Sequence, residues 1–267
     1  MRVALCFYGL VGSRLNKNGE GEDLDPEIAF NYYNKNILKH NEVDVFIHTW
    51  STSHKKKLIK LYSPKNSKFQ NQKDFFQSKD HKSVKNIEYP KNIKNLLIKF
   101  FFRKEYHKRL ENIKKSSFRA HSRWFSSKMS IELMKSYETK NNFTYDYVMI
   151  TRLDIGFFKK IQFKKLDLRI FYAGYRNNAP SKLNSYRGYY NNEYEGEQFN
   201  DLWFISNSKN IKKFSKLYDC INKYDISPHV SSYMHTVQYI KPYKIKYILY
   251  RWFDYELIRR KNYGSKK

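Results

Sequence analysis

The chain has 267 residues, with 52 lysines and arginines against 25 acidic residues and a formal net charge of +27. That length can bury a large core without disulfides or metal staples, and a single α/β domain over residues 1–267 is the expected organisation. Two cysteines, Cys6 and Cys220, exclude a disulfide framework and a zinc-ligand spacing, and they fit a reducing compartment.

Such a charge balance calls for an anionic partner: nucleic acid, an anionic membrane surface or a phosphorylated substrate. Joint enrichment in Lys, Asn, Ile, Phe and Tyr also carries the mark of an AT-rich gene, so charge narrows the partner class without choosing within it. No segment reaches the roughly 20 apolar residues needed to cross a bilayer. Met1–Leu10 lacks the h-region and cleavage site of a signal peptide, and the expected location is the cytoplasm.

In chain order, Val3–Tyr8 is a compact apolar run ending at Gly9, followed by the loop Leu10-Val11-Gly12-Ser13-Arg14. A buried strand opening into a glycine-containing loop is a common start for nucleotide-binding α/β domains. Pro26–His40 has helical spacing with a proline suited to the first turn, and Val43–Trp50 reads as a second, parallel strand. Residues 51–118 are lysine-rich and are expected to contain a variable insertion, partly helical from Ile93 to Lys115. Within it, Leu96–Lys104 mixes bulky apolar residues with cations, which suits either a buried short helix or a membrane-interface patch. Ser116–Thr139 is the strongest helix, and Tyr145–Thr151 is a strand that breaks into Arg152-Leu153-Asp154. Short strands are expected at Arg169–Ala173 and Leu202–Ser206, with a Tyr- and Asn-rich loop at Ser181–Gly196. Helices follow from Lys209 to about Tyr224 and near Ser231–Ile240. From Tyr243 a basic, aromatic segment suits either an anionic headgroup layer or a helix packed on the core.

The residues with most chemical promise lie at the strand ends. Asp154 follows a buried strand, where α/β proteins place ligands, and a carboxylate there can hold a divalent ion against a diphosphate. Arg152 can fork onto a phosphate; the plainer alternative is that both residues cap a turn.

Four segments in order, Arg2–Gly9, Val43–Trp50, Tyr145–Phe157 and Asp201–Asn207, resemble a family of bacterial polysaccharide-biosynthesis glycosyltransferases. The helix from Ser122 through Glu138 is also similar to that family's pattern. The resemblance covers about a third of the chain. It implies a GT-A-like α/β fold, a Rossmann-type mixed central sheet flanked by helices. It also implies sugar transfer from a nucleotide-sugar donor, assisted by Mn or Mg, to a growing capsular or surface polysaccharide on a lipid carrier. The usual Asp-x-Asp is here Arg152-Leu153-Asp154, which leaves the metal requirement and the donor nucleotide open.

On this reading Asp154 is the candidate metal ligand, with His235 as a late second one. Asp201 is the candidate general base, with Glu195 and Glu197 as rivals. Tyr8, Gly9, His48 and Trp50 are candidates to line the nucleotide pocket, and Arg14, Arg123, Lys128 and Arg152 to contact its phosphates. The alternatives are a satisfied strand-end histidine and tryptophan, a strand-capping aspartate and solvated cations. A nucleic-acid-binding protein using a basic, aromatic surface is the competing function, although no zinc-finger, RRM, KH or helix-turn-helix signature occurs. A phospho-group transferase acting on the same polymer is a third reading.

Overall fold

A computed structural model describes residues 1–12, 22–175 and 198–260. The first strand, β1 (Val3–Gly9), is buried over nearly its whole length because both faces are covered. Helix α1 (Pro26–Asn36) starts where expected: Asp25 accepts the Glu27 amide as N-cap, and Pro26 occupies the first turn. Strand β2 (Val43–Thr49) then pairs in parallel with β1, which completes the first βαβ unit.

Residues 51–118 do more than form an insertion. They supply α2 (Lys55–Tyr62) and β3 (Asn66–Phe69), and β3 pairs in parallel with β2 as an edge of the sheet. Two short helices follow, α3 (Lys82–Glu88) and α4 (Ile93–Phe101). The long helix α5 (Arg103–Lys140) has 38 residues and joins the second part of the helical stretch expected up to Lys115 to the helix expected from Ser116. Strand β4 (Tyr147–Arg152) pairs in parallel with the other side of β1.

The remaining strands are β5 (Ile155–Phe157), β6 (Phe171–Tyr175) and β7 (Asn200–Ser206). Helices α6 (Ser208–Phe214) and α7 (Pro228–Thr236) follow. The expected helix from Lys209 continues beyond α6 only as a 3-10 segment, Ser215–Lys223. The described part of the segment from Tyr243, up to Arg260, is mainly strand. It forms β8 (Ile245–Tyr250), parallel to β6, and β9 (Tyr255–Leu257), antiparallel to β5. Tyr247 packs on one core and Ile248 and Leu249 on the other, which removes the headgroup reading from these side chains. The loop expected at Ser181–Gly196 lies outside the described residues.

The central sheet has seven strands in the order β3-β2-β1-β4-β7-β6-β8, and β7 alone runs against its neighbours. The fold is therefore mixed α/β, with a mostly parallel sheet flanked by helices. Alternation with period two divides the core: Val3, Leu5 and Phe7 enter one cluster, Ala4 and Cys6 the other. Cys6 is buried, and burial pushes its thiol pKa well up.

Register then sets the site. Tyr8 stands opposite His48 on one side and Arg152 on the other, so the three mark the carboxyl edge of the parallel strands. The reversed strand β7 begins at that edge, which brings Asn200 and Asp201 to it.

Candidate functional site

Two adjoining cavities open at this edge, of about 480 and 310 Å³. Arg119, Arg123, Arg152 and Arg259 line both, so an arginine wall runs between them. The first volume lies within the range of small-molecule and cofactor sites.

The first cavity has an aromatic side. Trp50 follows β2 and stacks on Phe125 at 5.7 Å with ring planes 19° apart. Phe75 meets Trp50 edge-on at 6.2 Å, and Phe118 of α5 completes this lining. Flat apolar walls of this kind suit a planar heterocycle. Gly9 and Gly12 line the same cavity in left-handed conformations, with φ of 92° and 95°. The Gly9 amide donates to Ser126 Oγ at 2.9 Å, so this N–H is used within the protein.

The arginine wall is held from behind by carboxylates. Arg152 makes a bidentate pair with Asp154, Nε to Oδ1 and Nη2 to Oδ2, both 2.7 Å. Arg259 Nη1 lies 3.8 Å from Asp154 Oδ2. Antiparallel pairing of β5 with β9 puts it there, and the Ile258 N–H donates to the Asp154 carbonyl at 3.0 Å. Asp154 is fully buried. Burial alone would raise its carboxyl pKa, but Arg152, then Arg259 and Arg123, hold it below the usual carboxylate value. Burial, and then the neighbouring Arg152 and Arg259, pull the Arg123 pKa down to about 10, which leaves it charged at neutral pH.

The second cavity contains a carboxylate–imidazole pair. Asp201 forms an ion pair with Arg123 and lies 3.2 Å from His229 Nδ1. His229 Nδ1 also lies 2.9 Å from the Phe199 carbonyl, which fixes the ring at the start of α7. Tyr8 donates its hydroxyl to the Asp201 carbonyl at 3.0 Å, tying β1 to β7. Arg251 lines this cavity and reaches buried Glu256 at 3.2 Å. Among the described residues, eight cations line the two cavities. Asp74, Asp201, Asp154, Glu256 and Glu88, the last paired with Lys114, are the carboxylates in or directly behind the lining. The excess is three positive charges, in walls that screen them poorly.

The structure thus brings together Tyr8, Gly9, Trp50, Arg123, Arg152 and Asp201 around one cleft, with Asp154 immediately behind it. Other candidates go elsewhere. His48 is buried beneath the cleft, its Nδ1 2.7 Å from Ser126 Oγ; burial lowers its pKa to about 4 and keeps it neutral. Lys128 lines neither cavity and pairs with Asp219 at 2.6 Å. His235 packs among Tyr224, Cys220 and the Lys213 carbonyl, and it too lines neither cavity. Arg14, Glu195 and Glu197 lie outside the described residues.

The donor set does not fit the expected Mn or Mg site. Both oxygens of Asp154 are taken by guanidinium groups, and His235 shares no partner with it. Among the described residues, no three His, Cys, Asp or Glu side chains cluster as metal ligands do. His229 joins the site unmarked by any local pattern in the sequence, and Arg251 and Arg259, which stand out there only as cations of the basic, aromatic segment, join it too. No family model matches this chain, and no curated protein matches it in sequence.

Proposed function

We propose that the protein transfers a sugar from a nucleoside-diphosphate donor to a hydroxyl of a surface polysaccharide. The observation that carries this reading is the arginine wall between an aromatic-lined cavity and a cavity holding Asp201 and His229. The nucleobase packs against Trp50 and Phe75, and the diphosphate lies on Arg123, Arg152 and Arg259. That places the bond to be broken at the mouth of the second cavity. The mixed sheet is compatible with the GT-A arrangement that the family resemblance implies.

In the reaction, an acceptor hydroxyl oxygen bonds to the anomeric carbon as the carbon–oxygen bond to the diphosphate breaks. The electron pair of that bond leaves with the diphosphate. Guanidinium groups aimed at it supply the stabilisation, and they are most effective because Asp154, behind Arg152 and Arg259, and Asp201, beside Arg123, fix them before the substrate arrives. The hydroxyl proton passes to the Asp201–His229 pair. Arginine fills the role for which a divalent ion was expected.

A thermal-shift panel of UDP, GDP, CDP and CMP, each with Mn, with Mg and with EDTA, tests the reading. At least one nucleoside diphosphate is expected to stabilise the protein, by about 2.7 kcal/mol at a hundredfold excess over Kd. The effect persists in EDTA and is lost in Arg152→Ala and in Arg259→Gln, the second of which leaves Asp154 its bidentate partner Arg152. Absence of stabilisation by every nucleotide sinks the assignment.

A further inference from the structure

Helix α4 is inverted with respect to water. Ile93, Leu96, Leu97, Phe100 and Phe101 follow the i, i+3, i+4, i+7, i+8 spacing of a single helical face. In an ordinary surface helix that face packs on the core and lysines point outward. Here Ile93, Phe100 and Phe101 are 76, 64 and 75% exposed, and Phe102, in the break before α5, is 62% exposed. The inward position belongs to a cation: Lys99 donates to the Glu88 carbonyl at 2.8 Å and lies within 6 Å of the Tyr89 and Tyr106 rings. A contiguous run of large apolar side chains turned outward marks a surface built for an apolar partner.

The charge beside it identifies that partner. Arg103 and Lys104 follow Phe102 directly and are exposed, and Lys91 precedes the helix. Apolar side chains with cations at their margin match the two layers of an anionic bilayer surface, acyl chains beneath and phosphates above. At nine residues the helix is about 13 Å long, too short to span the hydrocarbon but suited to lie in the interface.

We infer that α4, with Phe102 and the cations that follow it, docks the protein on an anionic lipid surface. This inference stands apart from the sugar-transfer reading. It has a geometric consequence, because α5 continues directly from the docking segment. Lys114, the first residue of α5 to line the cleft, stands roughly 16 Å along the helix from Arg103.

Flotation of the full chain with vesicles tests it, using phosphatidylcholine alone and phosphatidylcholine mixed with phosphatidylglycerol. Binding to the mixed vesicles is expected to exceed binding to the neutral ones by roughly tenfold or more, and to weaken as salt is raised. A Phe100→Ser, Phe101→Ser double variant keeps the native melting temperature, since both side chains already face solvent, and loses vesicle binding. An Arg103→Glu, Lys104→Glu variant keeps only the weak, composition-independent part. Equal flotation of the serine variant and the native chain overturns the inference, as does failure of the native chain to bind mixed vesicles. Sedimentation showing a native dimer that the serine variant loses, without vesicle binding, assigns the face to a second copy instead.

Discussion

Asp154 is a carboxylate taken entirely out of water, a transfer that costs several kcal/mol unless strong partners offset it. Arg152 does so with two short bonds, and Arg259 adds a third contact. Asp154→Asn keeps the shape and removes the charge, leaving guanidinium groups facing an amide. The expected cost is about 3–5 kcal/mol in chemical denaturation at neutral pH. The pH dependence has a definite sign. Because the folded-state pKa lies below the unfolded value of about 3.9, the contribution is complete above that pH and is lost as pH falls through the lower folded value. Denaturation midpoints measured downward from pH 5 should therefore fall more steeply in the native chain than in the asparagine variant. At His229 the expectation is kinetic: His229→Gln lowers turnover by about 10²–10⁴ while the diphosphate-induced thermal shift stays unchanged. Tyr8, Gly9, Trp50, Arg152 and Asp154 were legible in the sequence because each lies at or just beyond the end of a buried strand. His229 and Arg259 were not, because their place depends on contacts with Asp201 and Asp154 from far along the chain.

At the scale of elements, the strong apolar runs gave strands β1, β2, β4 and β7 within a residue or two. Asn66–Phe69 was missed as β3 because a short edge strand with half its residues exposed carries little apolar signal. The first three turns of α5 are largely polar around the cylinder, so helix was expected there only as part of a separate insertion, and its continuity with the core-facing stretch from Ser117 was not legible. Misreading Tyr243–Arg260 has another cause. Its aromatics and cations suit an interface, a helix or a strand equally, and pairing with β6 and β5 decided among them. Tyr175 and Tyr250 show the outcome, with rings stacked 4.4 Å apart across the β6–β8 pair. Packing of β9 on the sheet also depends on Gly174, where a methyl group would run into the buried ring of Tyr255. Gly174→Ala is expected to destabilise the protein by about 1–3 kcal/mol through overpacking. It should also weaken nucleotide stabilisation, because the strand that carries Arg259 into place is pushed away. Calorimetry with and without the best diphosphate separates the two effects.

For the whole molecule, the net charge of +27 predicts attraction to any polyanion, and salt distinguishes this from the cleft. Binding to single-stranded RNA or DNA should fall steeply between low and physiological salt, as counterion release requires. Stabilisation by a nucleoside diphosphate, held by partly buried arginines, should decline far less over the same range. Nucleic-acid binding that survives physiological salt would return weight to that competing function.

The clasp between Arg259 and Asp154 also has a consequence for the order of assembly. Contacts between segments so distant in sequence form late, since their closure entropy is repaid only when most of the intervening structure exists. A chain emerging from the ribosome therefore passes through a stage with four parallel strands in place and the phosphate cradle still ajar. Protection from protease by added nucleotide would be acquired only after Arg259 has emerged and closed on Asp154.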